Sequence, residues 1–245
     1  MLYLTYDNRA HQDGPGAQII RILGIYALSL NFGCSYVHSP ILTAEHCDNA
    51  TKDRWNQFIR KFIGDRHMRT ASSIHTVEVA IERPSVEEIQ AKMQSSVPTL
   101  MRILYPFGVT DTYPQIMYNL QYKTETMEDV ITVHIRRGDA QCIPFRFLPN
   151  DYYVNTMKAV RSGFDVPMRF HVYSDSPVTL DIEDCTYFIN TDPIESVEML
   201  SRGKVFIMSV SAFSILAAYM CRGKVITPPR SSHAPLPHWS YAPVV

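Results

Sequence analysis

A chain of 245 residues with 46% hydrophobic and 19% charged residues and a mean hydropathy of -0.10 has enough apolar material for a sizeable core, which excludes a disordered protein. A formal net charge of -1 and a pI near 6.7 exclude a general nucleic-acid binder, which needs a basic excess to meet phosphates. Any anion recognition must be local.

Leu2 to Tyr6 alternates, is β-prone and reads as the first strand. No basic leader, signal-length apolar stretch or spanning helix is present, so the expectation is a cytoplasmic enzyme or the catalytic domain of something longer. A polar loop, Asp7 to Asp13, leads into Gly14-Pro15-Gly16, and an apolar-periodic helix from about Ala17 to Phe32 places Ile20, Leu23, Gly24, Ala27 and Leu28 on one face. A glycine turn opening a helix exposes backbone N–H groups where an anion can sit; the bland reading is a tight βα turn with Pro15 near the helix start. Gly33 ends that helix, and Cys34 to Val37 begins a second strand. Trp55, Phe58, Ile59 and Phe62 recur at helical spacing within Asp48 to Ile63 and read as core. Ser73 to Ile81 alternates like a strand. Ser85 and Glu88 have capping-box spacing, starting a helix expected to run towards Leu104 with an interruption at Pro98. Tyr105 to Thr126, with Pro106, Gly108, Pro114, Tyr113, Tyr118 and Tyr122, loses period and reads as a connection.

Beyond it the pattern sharpens. A buried strand, Val130 to Ile135, stops at His134-Ile135-Arg136-Arg137-Gly138-Asp139 and so delivers polar groups to its carboxyl end, the edge where open α/β sheets bind ligands. Two guanidiniums beside a glycine suit a diphosphate; the bland alternative is a solvated basic turn. His134 and Arg136 share a strand face. Helix Asn150 to Val160, strands Met168 to Tyr173 and Thr186 to Ile189, helix Ile194 to Ser201, strand Val205 to Met208, helix Ala212 to Met220 and strand Lys224 to Thr227 come next, as in a doubly wound sheet. Ser174-Asp175-Ser176 stands at another strand end, where a carboxylate can pair with the two N–H donors of guanine or simply make a turn before Pro177. Ser211 and Ser214 stand at a helix start and suit phosphate, although capping alone needs only one serine. From Pro228 the tail is rich in Pro, Ser and His and reads as surface-wrapping.

Five dispersed cysteines, Cys34, Cys47, Cys142, Cys185 and Cys221, lacking any Cys-x-x-Cys pair, read as reduced and mostly buried, which points to a reducing compartment. Nine dispersed histidines, without His-Glu-x-x-His or a strand-end Asp-x-Asp, give no metal site.

His134-Ile135-Arg136-Arg137-Gly138-Asp139 resembles, at every fixed position, the His-x-Arg-Arg-x-Asp pattern of the α1,2-, α1,6- and protein O-fucosyltransferase superfamily. Gly14-Pro15-Gly16-Ala17-Gln18 is similar to its Gly-x-Gly-Asn-Gln, and Ser211-Ala212-Phe213-Ser214 to its Ser-x-Phe-Ser, in the same chain order. The resemblance implies a GT-B-like α/β fold of two small Rossmann-like domains facing across a cleft, expected here as 1–125 on the acceptor side and 126–245 on the donor side. It implies metal-independent, inverting transfer of L-fucose from GDP-fucose to a glycan hydroxyl, with no cofactor. Gly14, Gly16, Gln18, His134, Arg136, Arg137, Asp139, Ser174, Asp175, Ser211, Phe213 and Ser214 are then expected around the donor. Arg136 neutralises the leaving diphosphate, and Arg137 and Asp139 organise the turn. Asp13 is the first candidate for the general base and His11 the second, since some relatives use an acidic residue near this turn. Ala17 departs from the family's donor-contacting Asn. That leaves two rivals: a transferase of another nucleotide-activated deoxyhexose, and a catalytically silent nucleotide- or glycan-binding module.

Overall fold

The computed structural model describes residues 1–9, 13–64, 76–106, 124, 127–231 and 233–242. The chain divides into two compact units, Met1–Tyr122 and Lys123–Val245.

In the first unit β1 (Leu2–Tyr6) leads through the glycine turn into α1 (Pro15–Phe32), then β2 (Ser35–Tyr36), α2 (Asn49–Ile63), β3 (Val77–Ile81), α3 (Val86–Gln94) and β4 (Thr99–Ile103). The sheet is parallel, in the order β2-β1-β4-β3. Helix α1 is buried almost all round from Gln18 to Ser29, so it packs as a core element rather than a surface helix. It stops at Gly33, whose φ of 65° is left-handed and lets its N–H reach back to the last turn. Asp48 caps α2 by accepting the Thr51 N–H at 2.7 Å, and Trp55, Phe58 and Phe62 pack edge to face beneath it. The Ser85–Glu88 capping box starts α3, with bonds of 3.1 and 2.8 Å.

The expected helix from Ser85 to Leu104 is corrected. It ends at Gln94, and Thr99–Ile103 is instead a central strand in register with β1, Leu4 opposite Met101. Pro98 removes a helical donor and holds the preceding residue extended, and burial on both faces between β1 and β3 outweighs the helix preference of Leu and Met. Of the expected strand Ser73 to Ile81, residues 73–75 lie outside the described residues. So does most of the expected connection Tyr105 to Thr126, including Tyr113, Tyr118 and Tyr122.

In the second unit the order is β5 (Glu128–Ile135), a 3-10 turn at Gly138–Cys142, α4 (Asn150–Arg161), β6 (Arg169–Ser174), β7 (Cys185–Ile189), α5 (Pro193–Leu200), β8 (Gly203–Ile207), α6 (Ala212–Met220), β9 (Lys224–Thr227) and β10 (Ser240–Tyr241). The parallel sheet runs β10-β9-β8-β5-β6-β7. Ile131, Val133, Ile135, Phe170, Val172, Val205 and Ile207 build its core with Tyr153 and Met157 of α4. Part of the tail after Pro228 does more than wrap the surface: Ser240–Tyr241 adds a strand beside β9. None of the five cysteines forms a disulfide, but only Cys221 is buried, so the expectation of mostly buried thiols fails for the other four, which lie in loops or at element edges. Among the described residues no helix is long and apolar enough to cross a membrane.

Candidate functional site

The strand order of the second unit reverses between β5 and β8. From β5 the chain builds outward through β6 to β7, then crosses back to β8 and builds the other way to β9 and β10. The carboxyl ends of β5 and β8 therefore flank the point at which ligands settle in open α/β sheets. The segments after β5, β6 and β8 are the three that the sequence marks.

After β5 the backbone turns so that the two arginines part company. Arg137 is only 6% exposed. It donates from Nη1 to the carbonyls of Arg136 and Leu148, at 3.1 and 2.9 Å, and from Nη2 to Asn150 Oδ1 at 2.5 Å. Its guanidinium also stacks on Phe147 and Tyr153. These contacts fasten the turn to the start of α4, so this cation is spent internally. Arg136 faces outward with its side chain 29% exposed, held by Asp175 Oδ2 at 2.6 Å and Asp139 Oδ1 at 2.5 Å. Asp175 also accepts the Arg137 backbone N–H at 2.8 Å. Gly138 is required here, since its φ is +23° and a Cβ would stand 2.8 Å from Asp175 Oδ2. Asp175 is thus first a clamp on Arg136 and on the turn, although each oxygen retains acceptor capacity. Ser174 is buried and accepts the Ser176 N–H at 3.3 Å.

His134 lies at the heart of a hydroxyl network. Its Nδ1 is 2.6 Å from Ser214 Oγ and 3.1 Å from Ser209 Oγ, and Ser214 Oγ accepts the Ser209 N–H at 3.0 Å. Phe213 packs against the ring, with centroids 5.1 Å apart. Burial, with the Arg136 charge adding to it, pushes the His134 pKa down to about 3, so the imidazole is neutral in the folded protein. Ser214 is fully buried and serves this network, whereas Ser211 caps α6 by accepting the Phe213 N–H at 3.2 Å. Ser209 opens the strand-end segment Ser209–Ser214 that the sequence marks, but only its place there, and no specific role, is legible from the sequence.

The neutral histidine has a consequence for stability. Below the unfolded value near 6.5 the unfolded chain takes up a proton that the folded ring refuses, so this group's contribution is whole above that pH and is lost as pH falls towards 3. Between these limits it removes about 1.4 kcal/mol per pH unit. Denaturant midpoints measured at pH 7 and pH 5 on the wild type and His134→Asn are expected to show a smaller acid loss in the variant; equal losses would contradict a buried neutral ring.

In the first unit Gly14 is the N-cap of α1 and offers no side-chain cap, Pro15 opens the helix, and Gly16 lies in its first turn. Gln18 is buried and its Nε2 donates to the carbonyls of Asp13 and Thr43, both at 2.7 Å, tying the turn to a neighbouring loop. Asp13 does not cap α1; its carboxylate pairs with Arg21. Arg21 escaped the sequence reading, yet it is the single charged residue between Pro15 and Phe32, and a lone charge on a buried helix is a usable signal. His11 lies outside the described residues. Among the described residues no group of His, Cys, Asp or Glu is arranged to hold a metal ion.

No family model and no curated protein matches the chain. Solved structures do. An α-1,6-fucosyltransferase, NodZ, co-crystallised with GDP is 12% identical, with a TM-score of 0.55 over 95% of this chain and 96% of that one. Fucosyltransferase NodZ from Bradyrhizobium is 13% identical, with a TM-score of 0.51 over 90% of this chain and 93% of that one. At such identities the likeness establishes the fold, which is α/β and GT-B-like.

Proposed function

We propose that the protein is a glycosyltransferase that uses a nucleoside-diphosphate sugar, with GDP-fucose as donor and a glycan hydroxyl as acceptor, by a metal-independent inverting displacement. The observation that carries this reading is Arg136. It stands at the strand-order reversal, clamped by Asp175 and Asp139 with its guanidinium partly exposed, while its neighbour Arg137 is consumed by the fold. A preorganised cation at that edge suits the charge that develops on a leaving diphosphate. The resemblance of the surrounding pattern and the fold of a GDP-bound fucosyltransferase support a guanine nucleotide.

In this proposal the unit from Lys123 onward holds the donor and the unit before it presents the acceptor. Arg136 exchanges its contact with Asp139 for a phosphate oxygen when the donor arrives, and Asp175 keeps the guanidinium aimed. Asp175 also retains lone pairs for the two N–H donors along one edge of guanine, where uracil offers a single N–H. His134, Ser209, Ser214 and Phe213 shape the floor, and Ser211 and the start of α6 receive phosphate. Ala17, whose N–H is used within the helix turn, leaves the sugar itself as the variable, so other GDP-deoxyhexoses belong in any donor screen.

Calorimetry with GDP, UDP and ADP in the presence of EDTA tests this reading. GDP is expected to bind selectively and without added metal. Equal affinity for UDP, no binding of any of the three, or binding restored only by manganese would contradict it.

A further inference from the structure

The first unit holds a charged cluster that the donor reading leaves unused. β1 and β4 are the adjacent central strands and run parallel, so their carboxyl ends open on one edge. Arg21 of α1 connects the segments that leave these two strand ends. Its Nη2 pairs with Asp13, on the segment after β1, and its guanidinium carbon lies 4.6 Å from the ring centroid of Tyr105, just after β4. The two partners differ sharply in exposure, the Arg21 side chain at 7% and that of Asp13 at 39%. Arg21 Nε and Nη1 are buried without a hydrogen-bond partner among the described residues.

Burying a guanidinium is expensive even when a carboxylate faces it. Anchoring the turn does not require it, because Gln18 already ties the Asp13 carbonyl to Thr43. What Arg21 adds is a hold on the Asp13 carboxylate itself, whose side chain remains partly exposed at the carboxyl ends of the central strands. A carboxylate fixed in this way suits a ligand hydroxyl.

We propose that Arg21 is the positioning residue for Asp13, and that Asp13, so held, accepts the proton of the attacking hydroxyl, supplied by a carbohydrate or by water. The proposal rests on the transferase reading above. In the step, the hydroxyl oxygen bonds to the anomeric carbon and its proton passes to the Asp13 carboxylate. The bond from that carbon to the diphosphate oxygen breaks, and its electron pair leaves on the diphosphate.

The test uses the full chain, GDP-fucose as the probe and GDP release as the readout, with kcat expressed per GDP-binding site measured by calorimetry. Arg21→Gln is expected to lower kcat per site by about 10²-fold while leaving the Kd for GDP within about two-fold. Arg21→Lys, which keeps the charge but not the fork, is expected to fall between. In an Asp13→Asn background, Arg21→Gln is expected to cost less than about two-fold more, since the group it positions is already gone. Additive losses in the double variant, or an Arg21→Gln loss confined to the number of GDP-binding sites and the melting temperature, would reduce Arg21 to a structural residue and overturn the proposal. A wild type that binds GDP but releases none from GDP-fucose removes the transferase reading and this proposal together; turnover with additive variants removes the Arg21 proposal alone.

Discussion

Arg136→Ala is expected to lower the transfer rate by about 10³-fold, the upper range for loss of one preorganised electrostatic donor. The protein should still fold. Arg136 is partly exposed and removes no core volume, and Arg137, which does fasten the turn, stays in place. The variant leaves Asp139 and Asp175 without the cation they share, so the Kd for GDP should also rise. Arg136→Lys is expected to recover only part of the rate, because a point charge cannot meet Asp175 and a phosphate oxygen with a planar fork. Circular dichroism, GDP calorimetry and initial rates on the same samples separate these effects. Near-native turnover in Arg136→Ala would remove the anion site.

Asp13→Asn carries the second large effect, a fall in kcat of about 10²- to 10⁴-fold if Asp13 is the general base, with the Kd for GDP unchanged. The structure alters what else is expected of this variant. A helix cap would tolerate asparagine, but Asp13 is not a cap; it is the charge partner of a buried guanidinium. Asparagine can still accept a hydrogen bond from Arg21 but cannot balance its charge, so stability should fall by about 1–3 kcal/mol. For a chain of this size that is a shift of several degrees in Tm. A variant with unchanged Tm and unchanged kcat would deny Asp13 both roles.

How much of this was readable beforehand depends on what each residue signalled. Helix α6 and strand β9 begin and end where the sequence places them, because sharp apolar runs between polar breaks fix both ends. Strand β4 was hidden. Its Leu and Met residues come after a strong helix start, and nothing local announces that Thr99–Ile103 will be buried between two other strands. At the site, strand alternation sets His134 and Arg136 on one face as an expectation, but it does not show that Arg137 would be spent on Leu148 and Asn150, a pairing made by a turn whose path depends on tertiary packing. Gln18, expected beside the donor, is a tie within the first unit, and Ser214, expected at phosphate, serves His134. Both are polar residues on buried faces, where internal hydrogen bonding competes with ligand contact. Local spacing does not say which prevails. Arg21 passes for a surface position unless the apolar residues on every side of it are read as a helix buried all round, which makes its lone charge a signal.

Tracking GDP release from GDP-fucose over time, with EDTA present, tests the proposal that the protein transfers a sugar from a nucleoside diphosphate without a metal. GDP should accumulate catalytically with wild-type protein, inversion should be seen at the anomeric carbon of the product, and Arg136→Ala should slow GDP release by about 10³-fold. GDP that binds tightly while no GDP-sugar is consumed would contradict that claim and make the protein a nucleotide-binding module without turnover.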